Sequence, residues 1–168
     1  LALAEEFGIP VAETQAGKGE VNCESDWYLG CAGICGTLSA NVIAKQADLI
    51  LAIGTKLNDF VTNSKNGFAA DARFVSINTS RMDALKLNAE SVVADAREGV
   101  EALDAALQEH GWRTGWGDEV RAAKRSWQTE LTRLAQLESP ESGALNQTRV
   151  LMELNELLRK DNIVAASG

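Results

Sequence analysis

The feature that most constrains this chain is an alternation. Short apolar runs rich in strand-forming residues, Ile9–Ala12, Leu49–Ile53, Phe74–Ile77 and Val92–Ala94, are separated by the helix-length stretches "GTLSANVIAKQAD", "SRMDALKLNAE" and "AREGVEALDAALQEHG". Strands joined by segments of that length connect through crossovers, which leaves them parallel and covers both faces of the sheet. The expected fold class is α/β, a three-layer sandwich with a mainly parallel sheet. "ADLILAIGT" suits a central strand, because a strand buried on both faces reads as a nearly continuous apolar run. In "REGVEALDAALQEHG", Val100, Leu103 and Leu107 recur at helical spacing, and Gly111 stands where a helix stops.

From Trp112 the character changes. Asp118 to Leu137 reads as one long polar helix, with Val120, Trp127, Leu131, Leu134 and Leu137 as its buried stripe, and the breaker "SPESG" follows. "TRVLMELNELLRKDNIVAASG" then restarts the pattern as an amphipathic helix and a strand. The expected organisation is one domain over residues 1–138, with 139–168 supplying a linker and the first helix and strand of a second domain. The opening "LALAEEFGIP" places Glu5 and Glu6 where an export signal needs its apolar centre. It reads as the inside of a helix, so the first domain is expected to be N-terminally truncated, a piece of a longer protein.

Composition narrows the function classes. Across 168 residues, 45% apolar and 24% charged side chains are the mix of a soluble globular protein, and no apolar run reaches membrane-spanning length. With 24 acidic against 16 basic side chains the net charge is −8, which repels a phosphate backbone. Neither nucleic acid nor a membrane is an expected partner. Cys23, Cys31 and Cys35 are an odd number in a chain without an export signal, which indicates reduced thiols and a cytoplasmic setting. They are expected to be buried or half-buried, as free cysteines commonly are. Their spacing is not that of a paired metal-binding motif and His110 is remote, so no metal ligands are assigned.

In open parallel sheets ligands lie beyond the carboxyl ends of the strands. The segments to inspect are "ETQAGKG", "GTKLNDFVTNSKNGF", "NTSRMD" and "DAR". The Gly-Lys pair in the first is not a phosphate loop, since Lys18 is followed by Gly19 and the upstream glycine is missing. "GCAGICG" (Gly30 to Gly36) has dinucleotide-type glycine spacing and precedes a helix whose first amides suit an anionic or carbonyl group, yet no strand is expected directly before it. Arg81 and Asp83 read as capping or surface contacts. Lys65 and Asn66 fall in a loop where a channel role would depend on other domains, and His110 sits near a helix end, where a cation is favoured.

Taken in order, "GIPVAETQAGKG", "LGCAGICGTLSAN", "ADLILAIGTKLNDFVTNSK", "ARFVSINTSRMDALK" and "VVADAREGVEAL" resemble the central domain of thiamine-diphosphate-dependent enzymes. More narrowly, "ETQAGKG" and "GTKLNDFVTNSK" resemble the trihydroxycyclohexanedione hydrolases of myo-inositol catabolism, and "DNIVAASG" resembles the strand that opens their pyrophosphate-binding domain. The resemblance implies a Rossmann-like, non-catalytic module of a carbon–carbon hydrolase acting on an inositol-derived cyclic diketone. It implies thiamine diphosphate and magnesium in the parent, held by other domains of the parent chain, and a homo-oligomeric parent. It also implies that this piece alone is inactive and binds neither, so no catalytic or metal residue is assigned.

The flavin-binding relative acetohydroxyacid synthase has Met-His where Ile34-Cys35 stands, Arg for Lys56 and an acidic residue for Asn78. Asn offers no carboxylate to paired ribose hydroxyls, so FAD is not expected. Gly33, Gly36, Gly54, Thr55, Asn78 and Asp95 remain vestigial nucleotide or channel candidates, with Asp95 equally a helix N-cap. The alternatives are the central domain of a thiamine-diphosphate-dependent carboligase or decarboxylase, and a stand-alone nucleotide-binding module.

Overall fold

The computed structural model describes residues 1–137, 144–159 and 161–164. It divides into two compact units, Leu1–Ser126 and Trp127–Gly168.

In the first unit a short helix, α1 (Ala2–Phe7), ends at Gly8, whose left-handed backbone turns the chain into β1 (Val11–Glu13). A loop with one 3-10 turn at Gln15–Gly17 leads to β2 (Tyr28–Cys31), which runs parallel to β1. Thr37 then caps α2 (Leu38–Gln46) by accepting from the Ala40 amide. The chain continues as β3 (Leu49–Ile53), one turn of helix α3 (Asp59–Thr62), β4 (Arg73–Ile77), another single turn α4 (Arg81–Ala84) and β5 (Glu90–Val92). α5 (Ala96–His110) and α6 (Asp118–Ala135) follow. β1 and β2 form one sheet, β3, β4 and β5 another, and every pairing is parallel. The α/β class expected from the alternation is therefore the class observed.

Leu29 on β2, Ala40 and Ile43 on α2, and Val120 and Ala123 on α6 form a continuous buried cluster, flanked by Trp27, Ala32 and Trp116. Burying apolar faces of a strand and two helices against each other is the dominant stabilising term here. α5 lies close over β4 at Gly99, where a Cβ would come within 2.5 Å of the Ile77 Cγ2. Its ends are as expected: Asp95 accepts from the Arg97 amide, and Gly111 closes the helix in the left-handed region.

Three expectations need correction. β2 is a strand beyond those the sequence predicts, and because it ends at Cys31 the glycine-rich stretch does follow a strand directly. "SRMDALKLNAE" is not a full helix. After α4 and a 3-10 turn, Leu87 and Asn88 take positive φ of 55° and 54°, because the chain must reverse within a few residues to begin β5. The thiols are not buried: Cys23 and Cys35 sit on loops and are exposed, and only Cys31, within β2, is half-buried.

In the second unit Trp127, Leu131 and Leu134 are half-buried and Leu137 is exposed. Asn146 serves two helices at once. Its Nδ2 donates to the Leu134 and Leu137 carbonyls, at 2.8 and 2.9 Å, and its Oδ1 accepts from the Arg149 amide to start α7 (Gln147–Leu157). "SPESG" and residues 165–168 lie outside the described residues, and 162–164 are not a strand. No described helix is long and apolar enough to cross a membrane.

Candidate functional site

The carboxyl ends of the five strands lead into five connections, and each is held by a side chain that the local sequence positions. β1 delivers Glu13 as its last residue, only 6% exposed. Its Oε1 accepts from the Gly19 amide at 3.0 Å and the Val21 amide at 2.7 Å, while Oε2 accepts from the Tyr28 hydroxyl at 2.7 Å. Burial pushes the carboxyl's pKa up, but the Tyr28 hydroxyl and the loop amides outweigh it and hold the group below its ordinary value. Tyr28 is displaced upward, by burial and then by the Glu13 carboxylate it faces. "ETQAGKG" is thus a strand end whose glutamate gathers its own loop. The Gly19 and Val21 amides that an anion would need point at Glu13, and Gln15 and Lys18 are left exposed.

The loop from β2 into α2 is equally committed. Asn41, one turn into α2, grips the Gly33 peptide from both sides: its Oδ1 accepts from the Gly33 amide and its Nδ2 donates to the Gly33 carbonyl, each at 2.9 Å. Ala32 donates to Glu13 O, Ile34 to Phe60 O, Gly36 to Gly33 O and Thr37 to Cys31 O. Gly33 must be glycine twice over, since its φ is 102° and a Cβ would lie 2.1 Å from Phe60 O. Gly36 has no room either, because a Cβ there would lie 2.4 Å from Cys31 O. These glycines serve close backbone packing, and their amides are already spent within the protein.

Gly54, Thr55 and Asn78 are brought together. Gly54 donates to Ile77 O, the Asn78 Nδ2 donates to Thr55 O at 3.0 Å, and the Asn78 Oδ1 accepts from the Ser80 amide at 2.9 Å. Asn78 is buried with both ends of its amide engaged. Ser80 caps α4, Lys86 bridges Asp83 at 2.8 Å, and Asp83 is held below its ordinary pKa by Lys86 first and Ser80 second. Arg81 and Asp83 therefore occupy a capped helical turn. Lys65 and Asn66 fall on a turn in which Asn63, Ser64 and Lys65 are all left-handed, tethered by the Lys45 amine to the Asn66 and Phe68 carbonyls at 3.0 and 2.7 Å. Asp95 is occupied as the cap of α5, and the His110 ring, at the other end of that helix, contacts Ala106 O.

Sequence reasoning missed Tyr28, Asn41 and Lys45 altogether. Only Asn41 left a signal, as an amide one turn inside a helix that opens with a Thr cap. Among the described residues no group of three or more His, Cys, Asp or Glu side chains could hold a metal ion. With the glycine-loop amides and the Glu13 carboxylate already engaged, the described residues do not fit a diphosphate–metal cradle.

A family profile described as thiamine pyrophosphate enzyme, central domain, matches residues 1–103. The chain is 41% identical, over 98% of its length, to the 3D-(3,5/4)-trihydroxycyclohexane-1,2-dione hydrolase of Geobacillus thermodenitrificans. Identity is 39% to the protein of that name from Clostridium tetani, over 98% of the chain, and 38% to that from Bacillus velezensis, over 100%. The chain spans only 29%, 29% and 30% of those relatives' own lengths. Parallel strands, crossover helices and a profile match over more than half its length agree: the chain belongs to the family of thiamine pyrophosphate enzyme central domains.

Proposed function

We propose that this chain is the non-catalytic central module of a longer thiamine-diphosphate-dependent hydrolase that opens the ring of a cyclic diketone derived from inositol. The observation that carries the reading is the identity of about two residues in five to three trihydroxycyclohexanedione hydrolases, sustained over nearly the whole chain. On this reading thiamine diphosphate and magnesium bind other domains of the parent, which supply the carbonyl chemistry. This module supplies rigid loops at its strand ends. FAD has no place in it, which fits an Asn78 amide whose two ends are used internally. On this reading residues 1–138 belong to the central domain, and 139–168 supply a linker and the first helix, α7, of the pyrophosphate-binding domain. The parent is a cytoplasmic homo-oligomer without nucleic-acid or membrane partners.

The test is turnover by the full-length protein with 3D-(3,5/4)-trihydroxycyclohexane-1,2-dione, thiamine diphosphate and magnesium. Appearance of the ring-opened acid supports the reading. Condensation or decarboxylation of 2-oxo acids with no ring opening would replace it with a carboligase. In parallel, calorimetry of residues 1–168 with thiamine diphosphate and magnesium should give no saturable heat.

A further inference from the structure

The turn that joins α3 to β4 encloses a chemically reactive pair. Asn66-Gly67 is the only Asn-Gly pair of the sequence, and Asn66 is exposed. In such a pair the Gly67 nitrogen, after losing its proton, can add to the Asn66 Cγ; the Cγ–Nδ2 bond breaks and ammonia leaves. Water then opens the cyclic imide at either carbonyl, giving aspartate or, with an extra carbon in the main chain, isoaspartate. Glycine favours the attack because it brings no Cβ to block the approach and has the backbone freedom that ring closure needs.

The folded turn occupies both reacting groups. The Gly67 amide donates to the carbonyl of Thr62, itself 1% exposed, at 2.9 Å. The Asn66 Nδ2 is drawn back along the chain, donating to Ser64 O at 3.3 Å. The preceding amides are bound too: Ser64 to Asp59 O, Lys65 to Thr62 Oγ1 and Asn66 to Asn63 O. Freeing the pair therefore means opening the turn. Yet the closed shape is strained. Asn63, Ser64 and Lys65 have φ of 50°, 52° and 68° in succession. Residues other than glycine ordinarily visit this region singly, because the Cβ crowds the following carbonyl. Lys45, in the last turn of α2, clasps the turn from outside: its Nζ donates to Asn66 O at 3.0 Å and to Phe68 O at 2.7 Å, one on each side of Gly67.

We infer that Asn66 is a site of spontaneous deamidation gated by the Lys45 clasp: shielded while Lys45 holds the Asn66 and Phe68 carbonyls, and converted when the strained turn opens. Conversion runs one way, since the ammonia is lost. Isoaspartate lengthens the main chain at the point that Lys45 grips, so a converted turn does not regain its former fit.

The test incubates the full-length protein at mildly alkaline pH, folded and in urea, and follows residue 66 by peptic peptide mapping in acid, where imide formation stops. The readout is the mass gain from amide to acid. Folded wild type should convert at least about a hundredfold more slowly than its unfolded form, since reaction waits on local opening. Lys45→Met keeps the aliphatic stem without the donor, and when folded it should convert about tenfold faster than folded wild type. Folded wild type converting as fast as the unfolded chain overturns the inference, as does an unchanged rate in Lys45→Met. A slower rate in Lys45→Met overturns it too, by making the ammonium an activator of the Gly67 amide rather than a clasp. Should Lys45→Met fail to fold, Ser64→Gly carries the test. Glycine relieves the left-handed strain at that position, so slower conversion than wild type supports the gate, and equal or faster conversion refutes it.

Discussion

Removing the Glu13 carboxylate is the most informative single perturbation of the strand-end loops. Glu13→Ala deletes an acceptor that serves two loop amides and the Tyr28 hydroxyl. Hydrogen bonds to a charged group contribute about 1.5–3 kcal/mol each, but the three losses differ in kind. The Gly19 and Val21 amides lie where water can replace the carboxylate, whereas the hydroxyl of buried Tyr28 is left without a partner. A net loss of about 3 kcal/mol follows, dominated by Tyr28. For a chain of this size that lowers the melting temperature by roughly 6–12 °C. Glu13→Gln keeps an acceptor for both amides and can donate to Tyr28, so it should cost only about 1 kcal/mol.

The pH dependence has a definite sign. Glu13 titrates lower in the folded chain than in the unfolded one, so its contribution is complete above the unfolded value and fades as pH falls through the folded value. The stability gap between wild type and Glu13→Gln should therefore shrink on acidification below about pH 4. Urea titrations across that range measure it, and tryptic cleavage at Lys18 reports the loop directly, faster in Glu13→Ala. Alanine and glutamine variants of equal stability would refute the reasoning, as would an alanine variant within about 0.5 kcal/mol of wild type.

Gly33→Ala should cost more than about 3 kcal/mol, because positive φ and a backbone clash combine, whereas Gly111→Ala, with open space around it, should cost only about 1; thermal melts of the pair separate the two effects. Gly99→Ala should lose about 1–3 kcal/mol from collision with Ile77 Cγ2, and Ile77→Ala in the same chain should recover part of that loss in a double-mutant cycle. Ser76 is fully buried with no partner for its hydroxyl among the described residues, so Ser76→Ala should be neutral or raise stability by up to about 1 kcal/mol in urea titration. A thiol reagent should find two fast cysteines, Cys23 and Cys35, and a slower Cys31.

What the sequence made legible was what local chemistry determines. Leu49–Ile53 is strand in reading and in structure because five apolar residues between Asp48 and Gly54 leave little else for it to be, and α5 announced both its ends through Asp95 and Gly111. β2 was hidden because "YLGC" is short and contains glycine, and it becomes a strand through pairing with β1 rather than through its own propensity. The ordered succession of motifs was enough to suggest the family. The working parts of the strand-end loops were not legible, since Glu13 meets Tyr28, Gly33 meets Asn41 and Thr55 meets Asn78 only after the chain has folded.

The grip of Asn41 on Gly33, with Gly33 in turn lodged against Phe60, makes the connections after β2 and β3 inseparable as units of inheritance. A chimera that imports residues 30–41 from a relative without its counterpart of residues 58–62 would join two halves of different fits. Anyone grafting loops between such proteins should move both segments together, and natural length changes in one should be matched by changes in the other.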